Sequence, residues 1–262
     1  MYILEKKIEK NFLYKGYSIQ KVENIKYLKY IENEIYEFLK KNVKFKHKNK
    51  QDYLNNFHKH VNKNNLNSLR VKLIENNLTK KKFKNYYYNT CKKTLETIVG
   101  NELVMQKGVN LSIQLPNDKS SLLTMHADTW SGDSAYEAVI WLPLVNCYKS
   151  KSMYILPSNK YKIFENVFKK QKNKSSNNIF QKIKKHVKWI NIKFGEFLIF
   201  NQTLPHGNIV NTENETRISM NCRFKSVFSP YGTKGIGDFF EPIDLKPITK
   251  IAIKYELPII KK

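Results

Sequence analysis

Three residues of this 262-residue chain have side chains and a spacing suited to holding one metal ion. His126 and Asp128 are separated by one residue in SLLTMHADTW, so at the end of an extended strand both side chains project from the same face. His206 follows a second apolar strand, GEFLIF, and could complete the site from there. Two imidazoles and one carboxylate leave three octahedral positions open, as in non-haem iron(II) sites. An isolated His-x-Asp is more often a turn aspartate beside a core histidine.

The strand RISMNCRF carries polar side chains on one face and apolar ones on the other. Its polar face consists of Arg217, Ser219, Asn221 and Arg223. A guanidinium near the metal, with the Ser219 hydroxyl two residues on, is suited to a distal carboxylate held by paired charge-assisted hydrogen bonds. The alternative is an arginine in a structural ion pair. Only three of the 47 basic residues are arginine, and the pair Arg217 and Arg223, six residues apart, suggests sites that require a planar, bidentate donor.

Other polar residues near these motifs are candidates for binding a cosubstrate or substrate. Gln114 and Asn110 alternate with apolar residues on the preceding strand, where they could bind such a molecule or face solvent. Trp130, Ser131 and Asp133 directly follow the His-x-Asp pair and could form a sugar-facing surface, since an aromatic ring suits C–H groups and the polar groups suit hydroxyls. The alternative is a buried Trp130. Further substrate-contact candidates are Glu137, Asn221 and Arg223.

The remaining histidines and the cysteines do not indicate a second site. His47, His58, His60 and His186 lie among lysines and asparagines, where a solvated histidine is expected, and no carboxylate follows His58-x-His60 at metal spacing. The three cysteines are widely spaced with no C-x-x-C, which excludes a disulfide framework and a cysteine zinc site and predicts buried thiols.

The composition predicts a globular protein with a substantial core, because 41% of the residues are hydrophobic and 13% are aromatic. The longest apolar run, 138–145, is much shorter than the roughly 20 residues of a membrane helix. The opening MYILEKKIEK lacks the apolar centre of a signal peptide. We therefore expect a soluble, cytoplasmic protein with no membrane partner.

The net charge of +25 is spread unevenly, and this weakens a nucleic-acid interpretation. Residues 101–157, which include the His-x-Asp pair, carry four basic and five acidic residues. Elsewhere lysine is interspersed with asparagine, a pattern typical of solvated surfaces. We therefore expect a small-molecule partner rather than nucleic acid.

The hydrophobic periodicity changes near residue 100. Apolar residues recur every three or four positions over 20–43, 66–73 and 83–98, which predicts a mainly helical region over 1–100. From 101 to 262 the period is two, and many short strands separated by turns predict a sandwich or jelly roll. Two short helical segments within 159–188 interrupt the strands as an insertion. We expect the helical region to pack on the core as part of one structural domain.

Together these motifs resemble the Fe(II)/2-oxoglutarate-dependent dioxygenases with a double-stranded β-helix (cupin-like) fold. The likeness covers about residues 100–228. The turn MYILPSNK and the strand FGEFLIF are similar to those of the phytanoyl-CoA dioxygenase superfamily. Within it, the runs NLSIQLP, HADTWSGDSAYEAVIWLPLV and KSMYILP look closest to StrG-like oxygenases of carbohydrate biosynthesis. The resemblance implies an α+β fold in which that β-helix core carries an N-terminal helical region and a helical insertion.

The resemblance also implies a mechanism and a set of roles. Fe(II) would be bound by His126, Asp128 and His206, and the far carboxylate of 2-oxoglutarate by Arg217 and Ser219. With O2, such an enzyme converts 2-oxoglutarate to succinate and carbon dioxide and hydroxylates its substrate. A sugar or nucleotide-linked sugar is the substrate class that the StrG-like likeness implies.

Two alternatives remain at this point. A redox-inactive, metal-dependent jelly-roll isomerase or epimerase of sugars would use the same metal ligands but would not need Arg217. A non-enzymatic basic protein could bind nucleic acid or an anionic polymer through its lysines, with an affinity that falls steeply with salt. The sequence leaves open the substrate, the carbon oxidised, the choice between hydroxylation, epimerisation and desaturation, the oligomeric state and the role of the N-terminal helices.

Overall fold

The computed structural model describes residues 2–170 and 175–257, and most of its helices precede residue 100. The α-helices are α1 (Tyr2–Lys15), α2 (Ile25–Asn42), α3 (Lys50–Asn56), α4 (Leu66–Leu73), α5 (Lys81–Asn89), α6 (Lys92–Ile98), α7 (Tyr161–Lys169), α8 (Ser176–Ile183) and α9 (Pro247–Ala252). A π-helical turn, Ile74–Leu78, continues α4.

The strands form two antiparallel sheets. They are β1 (Tyr17–Lys21), β2 (Leu103–Gln106), β3 (Asn110–Gln114), β4 (Ala138–Pro143), β5 (Met153–Ile155), β6 (Lys188–Trp189), β7 (Glu196–Asn201), β8 (His206–Asn208), β9 (Arg217–Ser226) and β10 (Phe240–Asp244). The larger sheet has the order β1-β7-β4-β9-β2-β10, with β3 also paired to β9, and the smaller has the order β6-β5-β8. The described strands do not close into a barrel. This mixed architecture with a sheet-rich core is the predicted fold class.

Strand β9 is the centre of the larger sheet because it pairs on both sides along its length. One edge pairs with β4, and the other pairs first with β3 and then with β2. Ile218, Met220, Cys222 and Phe224 are fully buried on its apolar face. The opposite face carries the polar residues that the sequence alternation predicts, starting at Arg217, which lies opposite Gln114 of β3.

The N-terminal helices share one hydrophobic core with the larger sheet. In α2 an apolar stripe that includes Leu28, Ile31 and Ile35 is fully buried, and the Asn24 side chain caps the helix by accepting from the Lys26 N–H at 2.9 Å. The Tyr87 hydroxyl of α5 donates to the Ile140 carbonyl of β4 at 2.8 Å. We propose that the boundary near residue 100 is a change of secondary structure within one core.

The structure differs from the sequence expectation at three points in the helical region. The helix expected over 83–98 is two helices, because Glu23 accepts from the Lys93 and Thr94 N–H groups, each at 2.8 Å, and thereby starts a new helix at α6. The start of the helix expected over 20–43 belongs instead to β1, which pairs with β7. Helix α1 has no strong apolar stripe and was not predicted.

The insertion contains two helices, α7 and α8, as predicted, and residues 171–174 between them lie outside the described residues. These helices pack on the smaller sheet through a second apolar cluster. Within it the Tyr154 ring of β5 stacks on Phe180 of α8 with ring centroids 4.4 Å apart.

All three cysteines are unpaired and buried, as the sequence predicts. Burial raises the pKa of the Cys147 thiol to about 12 and also raises the pKa values of Cys91 and Cys222. Within residues 2–170 and 175–257, none of the helices has both the length and the apolar character needed to cross a bilayer.

Shortening Phe224 to alanine is expected to lower the free energy of unfolding by about 3 to 5 kcal/mol, because it leaves a cavity in the shared core. Phe224 is fully buried and lies against Tyr88, with ring centroids 6.2 Å apart. Phe228, on the same segment, is 72% exposed, so its change to alanine should alter stability by less than about 0.5 kcal/mol. Urea denaturation of both variants measures the difference, and equal losses would contradict the assignment of Phe224 to the core.

Candidate active site

The structure brings His126, Asp128 and His206 together. Ligand atoms from the three side chains all lie within 4.8 Å of one another. His126 and His206 form a short antiparallel bridge, in which each backbone N–H donates to the other's carbonyl, at 2.9 and 2.8 Å. The Asp128 N–H donates to the Gln202 carbonyl at 3.1 Å, next to the end of β7. Backbone hydrogen bonds therefore position all three candidate ligands.

Both imidazoles are oriented in the same way. The Nδ1 of His126 lies 2.8 Å from the Thr124 carbonyl, and the Nδ1 of His206 lies 2.8 Å from the Leu204 carbonyl. A carbonyl oxygen only accepts hydrogen bonds, so each Nδ1 must carry the proton and donate it. In a neutral imidazole whose proton is on Nδ1, the lone pair is on Nε2, which is the atom that could then bind a metal.

Burial favours the neutral form of the His206 imidazole, which is the form that can bind a metal. The side chain is 7% exposed, and burial lowers its pKa to about 4, an effect that the nearby Asp128 carboxylate partly opposes. The imidazole is thus neutral near pH 7. Two imidazoles and a carboxylate form a nitrogen and oxygen donor set that fits a divalent transition metal with open coordination positions.

Arg223 holds the Asp128 carboxylate in place. Its Nη2 lies 3.2 Å from Asp128 Oδ1, and its Nε donates to Gln202 Oε1 at 3.2 Å. The same Nη2 lies 3.7 Å from Asp133 Oδ2. Gln202 is fully buried and links the Asp128 backbone to the Arg223 side chain. Sequence reasoning missed Gln202, whose one sequence signal is its place in FNQTLPH, just before His206.

Arg217 is a buried cation with no acidic partner among the described residues. It is 3% exposed, and its Nη1 and Nη2 donate to the Ser152 carbonyl at 3.3 Å and to Ser112 Oγ at 3.2 Å. Burial lowers its pKa to about 10, so the guanidinium remains charged at neutral pH. An uncompensated buried charge is costly to the fold, and an anion at this position would compensate it.

Several buried polar atoms near Arg217 also lack hydrogen-bond partners. They are Arg217 Nε, Ser219 Oγ, Ser152 Oγ and Gln114 Oε1. The first three can donate, and donors without acceptors fit an oxygen-rich anion such as a carboxylate. Gln114 is fully buried and donates through Nε2 to the Ile209 carbonyl at 2.7 Å, so it does not face solvent. Ser112 and Ser152 carried no distinguishing signal in the sequence.

One cavity of about 560 Å³ joins the His-Asp-His cluster to Arg217, whereas Ser219 and Gln114 are not among the residues that line it. His126, Asp128, His206 and Arg217 all line it, with His206 on the smaller sheet and Arg217 on the larger. Asn110 and Asn221, paired across β3 and β9, also line it, and the Asn110 Nδ2 donates to Asn221 Oδ1 at 2.9 Å. The cavity therefore combines a candidate metal site, a buried cation and neutral polar groups in a single space.

The other predicted substrate residues lie outside the cavity lining. Trp130 is 46% exposed rather than buried, and it stacks on Phe164 of the insertion. Ser131 is exposed beside it. Asp133 is buried and pairs with Lys234 as well as Arg223.

Glu137, another predicted substrate contact, is also outside the lining. It accepts from the Ser134 N–H at 3.1 Å, and burial raises its pKa. The direct substrate contacts of these four residues stay predictions.

No protein-family model matches the sequence, and no curated protein matches it. Solved structures do match the fold. Apo ThoJ, a non-heme monooxygenase, is 11% identical, with a TM-score of 0.59 over 91% of this chain and 84% of that chain. EctD from S. alaskensis, solved with 2-oxoglutarate and 5-hydroxyectoine, is 10% identical, with a TM-score of 0.56 over 86% and 77% of the two chains.

SnoN, a non-heme alpha ketoglutarate dependent epimerase from nogalamycin biosynthesis, is 12% identical, with a TM-score of 0.50 over 90% of this chain and 86% of that chain. At such low identity these similarities show the fold and not the activity. They confirm the predicted fold class, because these folds match the mixed helix and sheet architecture over most of this chain.

Proposed function

We propose that this protein is an Fe(II)- and 2-oxoglutarate-dependent oxygenase that hydroxylates a small polar substrate such as a sugar or nucleotide-linked sugar. One observation carries the proposal: a single cavity is lined both by a His-Asp-His cluster and by a buried guanidinium without an acidic partner. A redox-inactive metal enzyme would need the first feature but would have no use for the second.

Each element of the site has a distinct role in this proposal. His126, Asp128 and His206 would bind iron(II) through two Nε2 atoms and a carboxylate oxygen. Arg217 and Ser219 would bind the far carboxylate of 2-oxoglutarate. The bound iron, 2-oxoglutarate and O2 would supply the oxidising chemistry, in which R–H becomes R–OH while 2-oxoglutarate becomes succinate and carbon dioxide.

The chain's other residues would position the reactants. Arg223 and Gln202 fix the Asp128 carboxylate, so that the ligand does not have to be ordered when the metal binds. Asn110 and Asn221 offer amide donors and acceptors suited to substrate hydroxyls. Val139, Trp141 and Phe200 line the cavity with apolar surface that excludes water from the metal.

The finer assignments have separate sources of support. The phytanoyl-CoA dioxygenase-like and StrG-like relationships, and with them carbohydrate biosynthesis, rest on the sequence motifs alone. The neighbouring epimerase SnoN indicates that a 2-oxoglutarate-dependent enzyme of this fold need not hydroxylate. A cytoplasmic location suits the three unpaired thiols, which persist in a reducing compartment.

Succinate formation tests the proposed function. Purified protein supplied with Fe(II), 2-oxoglutarate and air is expected to release succinate slowly even without substrate, at a rate that falls to background when iron is withheld. Calorimetry with Ni(II) as a redox-inert metal should show that 2-oxoglutarate binds only to metal-loaded protein. Metal binding without 2-oxoglutarate binding would instead support a redox-inactive isomerase or epimerase. A polyanion affinity that survives His206→Ala and falls steeply with salt, without succinate, would support the non-enzymatic alternative.

A further inference from the structure

All three arginines of the chain line the same cavity. Arg70, Arg217 and Arg223 border it, and of the described residues that line it none is lysine, although lysine supplies nearly all positive charge elsewhere. Arginine differs from lysine in offering a planar fork of donors that matches carboxylate and phosphate oxygens. The cavity is therefore specialised for oxyanions beyond what the overall basic composition explains.

Two of these arginines already have partners or a role. Arg223 contacts Asp128 and Asp133 at 3.2 and 3.7 Å. Arg217 is the cosubstrate-binding group in the proposed function, on which the present inference rests. Arg70 is the third arginine, and its side chain has a neutral partner: the Arg70 Nη2 donates to Asn67 Oδ1 at 2.7 Å. No carboxylate among the described residues pairs with it.

Arg70 reaches the cavity from the N-terminal helical region. It lies half-buried on α4, and Val71 of the same helix and Ile74 of the π-helical turn also line the cavity. This helix packs against β3, which carries Asn110 and Ser112 into the same cavity. The helical region thus contributes directly to the substrate space, and π-helical turns are frequent at functional sites.

The side chains that line the cavity carry a net positive charge, which favours the binding of a further anion. Asp128 is the one acidic side chain among the described residues that line the cavity, whereas three arginines line it, and Asp128 pairs with Arg223. A divalent ion and a dianionic cosubstrate would add no net charge. The loaded cavity therefore stays positive, and Arg70 is the guanidinium in it without an acidic partner.

We propose that the substrate carries an oxyanion, either a carboxylate or a phosphate, which Arg70 binds through paired N–H donors while the rest of the molecule extends towards the metal. Within the substrate class of the proposed function, this selects acidic or phosphorylated compounds over neutral sugars. The amides of Asn110 and Asn221 would then contact the uncharged polar part of the substrate.

Anion binding to the loaded protein tests this proposal. Protein saturated with Ni(II) and 2-oxoglutarate, which blocks the site at Arg217, is titrated separately with inorganic phosphate and with acetate at constant ionic strength, and the thermal midpoint is followed. We expect at least one anion to raise the thermal midpoint in a saturable way. The anion that binds more tightly identifies the substrate's oxyanion as a phosphate or a carboxylate. Arg70→Gln should weaken that binding roughly 10- to 100-fold, the effect of losing paired charge-assisted hydrogen bonds. Arg70→Lys should restore part of it.

Lys72 provides the matched control, because it lies on the same helix, is exposed and does not line this cavity. Lys72→Gln removes the same charge and should bind both anions as the wild type does. The proposal is overturned if neither anion raises the thermal midpoint of the wild type, or if Arg70→Gln responds as the wild type does, which would indicate binding to surface lysines. Failure of 2-oxoglutarate to bind in the preceding loading step would instead contradict the proposed function, so the two failures are distinguishable.

Discussion

Replacing His206 by alanine is expected to weaken metal binding by more than about 100-fold, beyond the usual loss for a residue that merely supports a ligand. The rate of succinate formation by this variant should fall to background, because the proposed reaction needs the bound metal. The Nε2 of His206 would be one of three ligands, and the cluster that could hold a metal contains no third imidazole among the described residues. The rise in thermal midpoint with Ni(II) measures the affinity, since a ligand that binds the folded state stabilises it.

His186→Ala is the matched control, because this histidine lies outside the cavity and should leave the metal response unchanged. His126→Ala provides a second variant if His206→Ala folds poorly, since the His126 side chain is 33% exposed and its loss disturbs less of the core. A full metal response in both ligand variants would show that the ion binds elsewhere.

Replacing Arg217 by methionine is expected to raise the KM for 2-oxoglutarate by roughly 30- to 5,000-fold, because losing one partner of a buried charge pair costs about 2 to 5 kcal/mol. Metal binding should persist, since Arg217 is not a ligand. Without cosubstrate the variant should be at least as stable as the wild type, because methionine removes a buried charge that no acidic group compensates. Initial rates of succinate release and urea denaturation measure the two effects.

The combination of lost cosubstrate binding and retained stability separates a binding role from a structural one. If Arg217 were part of a structural network, methionine would destabilise the fold whether or not 2-oxoglutarate was present. Arg217→Lys keeps the charge but not the planar fork, and it should recover only part of the affinity. An unchanged KM in Arg217→Met would remove the main support for a 2-oxoglutarate site.

Features that depend on local alternation could be predicted from the sequence. The polar and apolar faces of β9 follow from the two-residue repeat of a strand. The strand expected at His126 and Asp128 is instead a short bridge at His126 followed by a 3-10 turn that begins at Asp128. The two helices of the insertion follow from their apolar spacing. These patterns are encoded within a few neighbouring residues, so no knowledge of the tertiary structure is needed.

Features that depend on distant partners could not be predicted. The break before α6 depends on Glu23, which lies far away in sequence and supplies the cap. Arg223 was a candidate substrate contact, but its position next to Asp128 and Gln202 favours a role in orienting the metal ligand. Arg70 carried no motif, because only the packing of α4 against β3 brings it to the cavity.

The three buried thiols have a consequence for a protein proposed to handle ferrous iron in air. Thiolate, rather than thiol, reacts with peroxide and with alkylating reagents, and burial keeps Cys91, Cys147 and Cys222 protonated and shielded. None of them borders the cavity. Inactivation during storage in air would then originate in oxidation of the metal, so ascorbate rather than dithiothreitol would preserve the enzyme.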